Sequence, residues 1–186
     1  MAKAQVEAKI WARKVALVFF YQRLSLERFS QKPEALQDVI ALDHRFLQSE
    51  KWDEQQQELA GKLWELHQVD LWDHIEYILE QFFSKISLED INTDYLKLLA
   101  DKYDTYAPKI TELVDQYTTS FSYEQMDMMH QAIFLLGYVE AQATDTPTQI
   151  IVSEMVELTK RYCEPTTAKM MNAIGHKLLD PLKKKK

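Results

Sequence analysis

TPTQIIVSEMVELTKRY, residues 146–162, reads as one amphipathic helix, and that reading sets the fold class. Ile151, Met155, Leu158 and Tyr162 follow one another at steps of four, three and four, the spacing that lines a single helical face. Glu157 and Arg161 stand one turn apart on another face and are expected to pair. Thr146-Pro147-Thr148-Gln149 marks the start: Thr with Gln three residues on has capping-box form, and Pro at the first helical position gives up an N–H that would have no partner.

The same signals extend outward. Ser122-Tyr123-Glu124-Gln125 is a second capping box. The helix it opens carries Met126, Met129, Ile133 and Leu136, with Gly137 late in it and Glu140 on the same apolar line. A carboxylate in that position needs a partner, and the backbone N–H groups of the helix start at Thr146 are the expected one. Downstream, Pro165-Thr166-Thr167 starts a last helix to about Leu179. Upstream, a helix is predicted from about Asn92 to Tyr117, bent or broken at Pro108. The first helix is predicted over about Ala4 to Leu24. Its segment Val15 to Tyr21 is apolar nearly all round, as in a helix covered by several neighbours, and Lys9 and Arg13 are expected on one exposed side ahead of it. Pro33 marks a break, with Ser30 as a candidate cap. Two helices are predicted over residues 34–86, interrupted near Ser49 to Trp52; the second carries Leu59, Leu63, Leu66, Val69, Trp72, Ile75, Leu79 and Phe82.

Composition supports an all-α chain. Of 186 residues only 3 are Gly and 5 are Pro, while hydrophobic residues make up 46%; helix content of roughly 70% or more is expected, well above the ordinary share. Ser87-Leu88-Glu89-Asp90 punctuates the chain, dividing an N-terminal helical subdomain, residues 1–90, from a C-terminal one, residues 91–182, followed by a lysine tail, 183–186. The longest apolar run falls far short of the ~20 residues that span a bilayer, and no secretory signal is visible, so a cytoplasmic protein without membrane association is expected. The single cysteine, Cys163, fits a reducing compartment and reads as an inert thiol. A net charge of −7 disfavours non-specific nucleic-acid binding by the whole surface but leaves room for a local basic site.

Chemistry-bearing constellations are sparse. His67, Asp70 and His74 share a helical face, but at a spacing looser than zinc motifs use. Asp127-x-x-His130 lacks the repeated Glu-x-x-His partners of a di-iron bundle. No phosphate loop or hydrolase motif is present. Neither a metal, a cofactor nor a catalytic set is expected.

A series of segments resembles one family. Residues 132–140, AIFLLGYVE, are similar to the A-I-L-R-L-G-x-Y-E segment of NusB-type transcription antitermination factors. Residues 151–162, IVSEMVELTKRY, resemble A-I-N-E-A-V-E-L-A-K-x-F, and residues 167–174, TAKMMNAI, parallel S-x-x-F-V-N-G-V. Near the start, ARKVAL (12–17) and FYQ (20–22) resemble the basic A-R-R-x-A-L and the L-Y-Q that comes after it. Residues 30–90 are not matched. Ser153, Ala173, Leu135 and Met170 replace the usual Asn, Gly, Arg and Phe, and the basic cluster is thinner than the pattern.

The resemblance implies a NusB-like fold of two packed helical subdomains, each an orthogonal bundle, that acts by binding and not as an enzyme. It implies single-stranded boxA-like RNA of ribosomal RNA operons as ligand, ribosomal protein NusE as partner, and a place in the transcription elongation complex, as a monomer or weak homodimer. Lys9, Arg13, Lys14, Lys160, Arg161 and Lys169 are the residues expected to meet phosphates, with Tyr21 or Tyr162 as a stacking ring and Asn172 bonding either RNA or backbone. The plainer alternative makes the basic residues solvated helix faces and the tyrosines core. Two other readings stand beside it: a NusB-like scaffold that contacts only proteins, and an RNA-binding module related to those of ribosomal-RNA cytosine methyltransferases, although no methyl-donor-binding domain follows in this chain.

Overall fold

The computed structural model describes residues 2–31, 52–118 and 120–183. Among them every regular element is helical: α1 (Ala2–Gln31), α2 (Trp52–His67), α3 (Leu71–Phe82), α4 (Thr93–Ala100), α5 (Tyr103–Asp115), α6 (Met128–Ala143), α7 (Thr148–Tyr162) and α8 (Ala168–Lys183), with single 3-10 turns before α4, α6 and α8. None is long and apolar enough to cross a membrane. The chain forms two compact units, Met1–Tyr21 with Ile78–Lys186, and Gln22–Tyr77. The start of α1 therefore groups with the C-terminal helices, whereas the sequence pattern puts a division at residue 90.

The larger unit is built around α6. Its residues from His130 to Glu140 are buried without interruption, because α4, α5, α7 and α8 all pack on it. Side chains this thoroughly removed from water contribute roughly 1.5–3 kcal/mol each for Leu, Ile or Phe. The start of α1 belongs to the same core: Ala12, Val15, Ala16, Leu17, Phe19 and Phe20 are buried, and Phe20 meets the Tyr103 ring edge-on at 5.1 Å. Coverage of that stretch is not complete, since Val18 is half-buried and Tyr21 exposed. Nearer the start of α1, Trp11 meets Phe83 edge-on, and the Asn92 amide donates to the Ala8 carbonyl at 3.2 Å. Gly137 has a plain packing reason: a Cβ there would run into the Met155 side chain of α7.

In the smaller unit His67 is buried, stacked on Trp64 at 5.0 Å between centroids and bonded through Nδ1 to Gln68 at 2.9 Å. His67, Asp70 and His74 do not gather into a cation-sized cluster.

Several element boundaries differ from the sequence reading, each for a local reason. α1 runs on to Gln31, so Ser30 lies in its last turn and donates to the Glu27 carbonyl instead of capping a new helix. Residues 32–51 lie outside the described residues, and with them the break at Pro33 and the first of the two helices predicted over 34–86. The long second helix is cut at Gln68–Asp70, where Asp70 accepts the Trp72 amide and restarts the chain as α3; the buried stripe there is Leu71, Ile75, Ile78 and Leu79, while Leu66 and Phe82 are exposed. The helix expected over residues 92–117 breaks at Asp101–Lys102, and Pro108 sits inside α5. The Ser122 box forms, Gln125 accepting the Ser122 amide at 2.9 Å, but it closes a 3-10 turn, and Asp127 caps α6. No side chain caps α7; Thr146 bonds Thr144 instead. Ile151, Met155 and Leu158 form its buried stripe, Tyr162 being 38% exposed.

Candidate nucleic-acid interface

Three of the predicted cations come together. Lys14 of α1 and Lys160 and Arg161 from the last turn of α7 line one cleft of about 390 Å³, with Ile10, Glu154, Glu157 and Leu158. Lys14 is placed there because its neighbours Arg13 and Val15 face the core. Its ammonium lies 3.8 Å from the centroid of the Trp11 ring, a contact worth about 0.5–1 kcal/mol at an accessible site. Burial and the like charge of Arg161 hold the Lys14 pKa below the ordinary lysine value. A phosphate entering the cleft relieves that repulsion. The lining is nonetheless mixed, three cations against two carboxylates, and Lys160 bonds Glu157 at 2.6 Å. Helical spacing pairs Glu157 with Arg161, but Glu157 takes Lys160, and Arg161 leans over the Tyr162 ring, 5.6 Å from its centroid.

Arg13 departs from the sequence pattern, which puts it beside Lys9 on an exposed side, ready to meet phosphates. Lys9 is exposed, but Arg13 is only 5% exposed and spent on an internal pair. Its Nε donates to Glu140 Oε2 at 2.8 Å and its Nη2 to Glu140 Oε1 at 2.7 Å, a bidentate fork. The Tyr95 hydroxyl donates to the same Glu140 oxygen in a short hydrogen bond, and Arg13 Nη2 reaches the Tyr95 oxygen at 3.3 Å. Glu154 stands 3.8 Å from Nη1. Burial works against the charged guanidinium, but the hydrogen bonds and charge of Glu140 outweigh it and raise the Arg13 pKa above its ordinary value. Burial, followed by the charge of Glu140, pushes the Tyr95 hydroxyl up as well. Glu140 is thus buried and paired as its position required, by a side chain of α1 rather than by the start of α7. Nothing in the sequence singles out Tyr95 on α4.

A second, larger groove of about 640 Å³ adjoins this pair. Lys9 lies in it, 5.0 Å from the Tyr95 ring centroid, and Val6, Leu98 and Ile150 are exposed on its lining. Lys169 and Asn172 are exposed on α8, and Tyr21 is 37% exposed on α1; the lining of the Lys14 cleft does not include them. The site expected from sequence therefore divides into a gathered cluster (Lys14, Lys160, Arg161), one structural residue (Arg13) and outlying surface positions.

The family model described as the NusB family matches residues 58–179. Over 105 residues the chain is 32% identical to the transcription antitermination protein NusB of Helicobacter pylori (strain Shi470), spanning 55% of this chain and 73% of that protein. With the NusB of Helicobacter pylori (strain G27) it shares 38% identity over 77 residues, 41% and 53% of the two chains. With that of Pectobacterium carotovorum subsp. carotovorum (strain PC1) it shares 25% over 124 residues, 66% and 86%. The family match starts inside residues 30–90, where the short motifs find no counterpart, and it does not extend to α1. It spans well over half of the chain, which therefore belongs to the NusB family, whose relatives named above are transcription antitermination proteins.

Proposed function

We propose that the chain is an RNA-binding antitermination factor that grips boxA-like single-stranded RNA together with ribosomal protein NusE, within the elongation complex on ribosomal RNA operons. It acts by binding, without catalysis. The observation that carries this reading is the meeting of Lys14, from the start of the chain, with Lys160 and Arg161, more than a hundred residues later, in one cleft. Phosphates bind to such cation clusters by releasing counterions. Tyr21 lies two turns along α1 from Lys14, on the same face by helical period, and Tyr162 lies beside Arg161; both have exposed ring surface on which a base can stack. Lys9, Lys169 and Asn172 extend the surface. Arg13 acts indirectly, by anchoring the α1 segment that presents Lys14.

The test is a fluorescence-anisotropy titration of labelled boxA-like RNA into the full chain, with and without NusE. Binding that tightens with NusE and weakens in the Lys14→Ala and Arg161→Ala variants supports the reading. A second reading is favoured by Glu154 and Glu157 in the same cleft: a NusB-fold scaffold that contacts proteins alone. RNA left unbound in both conditions, with NusE still retained, selects that one.

A further inference from the structure

Away from the basic cleft, two helix ends bring together a donor set that the proposed RNA-binding role does not use. Asp127 caps α6, His130 lies in the first turn of α6, and Cys163 caps the C-terminal end of α7. Their carboxylate oxygen, ring nitrogen and sulfur all lie within 4.8 Å of one another. His130 is buried, Cys163 half-buried and Asp127 exposed.

The decisive detail is which ring nitrogen of His130 carries the proton. Thr167, in the turn before α8, donates its hydroxyl to the Glu164 carbonyl at 2.7 Å. Its oxygen is then an acceptor for His130 Nε2 at 2.8 Å, so Nε2 holds the hydrogen. Nδ1 is left with its lone pair, 3.9 Å from Asp127 Oδ1, beyond hydrogen-bond range. A histidine whose far nitrogen is tied to a hydroxyl or carbonyl, with the near one bare and turned to a carboxylate, is oriented as metal-ligating histidines are.

We propose that Asp127, His130 and Cys163 bind a divalent transition-metal ion of the zinc class. Thiolate, carboxylate and neutral imidazole together neutralise a dication, which suits a half-buried position. Binding displaces one proton, from the Cys163 sulfur to solvent, and water fills the fourth position. Zinc bonds of about 2.0–2.3 Å in tetrahedral geometry separate ligand atoms by roughly 3.3–3.6 Å. The His130–Asp127 distance is already within a few tenths of an ångström of that, and the exposed Asp127 side chain can draw in. The ion would fasten the start of α6 to the end of α7. The proposal is independent of RNA binding.

The test is a Co²⁺ titration of the full chain after chelation, followed by displacement with Zn²⁺. Because the chain has one cysteine, a thiolate-to-cobalt absorption band reports on Cys163 alone. A saturable band at one equivalent, reversed by Zn²⁺ and accompanied by a higher melting temperature, is expected. Cys163→Ser removes the band. Thr167→Val, which frees the His130 tautomer without touching a ligand, weakens affinity by about 10- to 100-fold, with an unchanged circular-dichroism spectrum. A missing band in the unaltered chain overturns the proposal. So does a band whose midpoint in the Thr167→Val and His130→Asn variants is unchanged from that of the unaltered chain; where His130→Asn does not fold, Thr167→Val alone decides.

Discussion

Arg13 and Glu140 hold opposite charges inside the larger unit, and their energetics follow from that burial. Replacing one partner strands the other without water. Arg13→Met is expected to destabilise the fold by about 3–5 kcal/mol, and Arg13→Met with Glu140→Met to recover most of the loss, since an apolar pair of similar volume needs no hydration. Urea denaturation of the two variants measures both. A single-variant loss below about 1 kcal/mol would show that the pair is not holding α1 to α6. Exposed pairs such as Lys160–Glu157 are a different matter: at 52% and 63% side-chain exposure they are screened by water, and their contribution is about 0–1 kcal/mol.

Helix-to-helix approach gives the next scale its sharpest contrast. Gly137 and Gly175 both lie inside helices, α6 and α8. Alanine in either place removes backbone freedom from the unfolded chain and gains up to about 1 kcal/mol of helix propensity. At Gly175 the new methyl meets Val152 and Met155 at 3.5 and 3.6 Å, ordinary contact. At Gly137 it overlaps Met155, and overpacking costs about 1–3 kcal/mol. Gly175→Ala should therefore raise the melting temperature and Gly137→Ala lower it; thermal melts read the two signs. Capping is a second prediction for the elements. Asn92 accepts the Tyr95 amide at 2.9 Å at the start of α4, so Asn92→Ala should cost about 1 kcal/mol and Asn92→Gly only a few tenths, as denaturation midpoints will show.

For the molecule as a whole, charge is the controlling quantity. A net −7 surface repels RNA except where cations concentrate. With Lys14, Lys160 and Arg161 as the phosphate contacts, the logarithm of RNA affinity should fall against the logarithm of salt with a slope of roughly −2, about −0.7 for each contact on a single strand. Lys14→Ala should bring it to about −1.4. Anisotropy titrations over a salt series measure the slope, and one near zero would remove the cleft as the binding surface.

Periodicity alone determined that this chain is helical: the apolar steps of α6 and α7 and the scarcity of breakers are local facts, and helix formation answers to local facts. The family, too, was legible, in short ordered segments from AIFLLGYVE onward, and so was the need of Glu140 for a partner. The identity of that partner was not. Arg13 lies 127 residues away from it, and whether a cation at that spacing faces solvent or a carboxylate depends on how α1 lies against α4 and α6. The same holds for Cys163, which meets the Asp127-x-x-His130 pair because one helix starts where another ends. Boundaries such as the break at Asp101–Lys102 also escaped, since Pro108 was the louder signal. A repeat of about 3.6 residues tells which side of a helix is apolar, but the pairing of distant polar atoms is decided only when packing removes their water and each must find a partner.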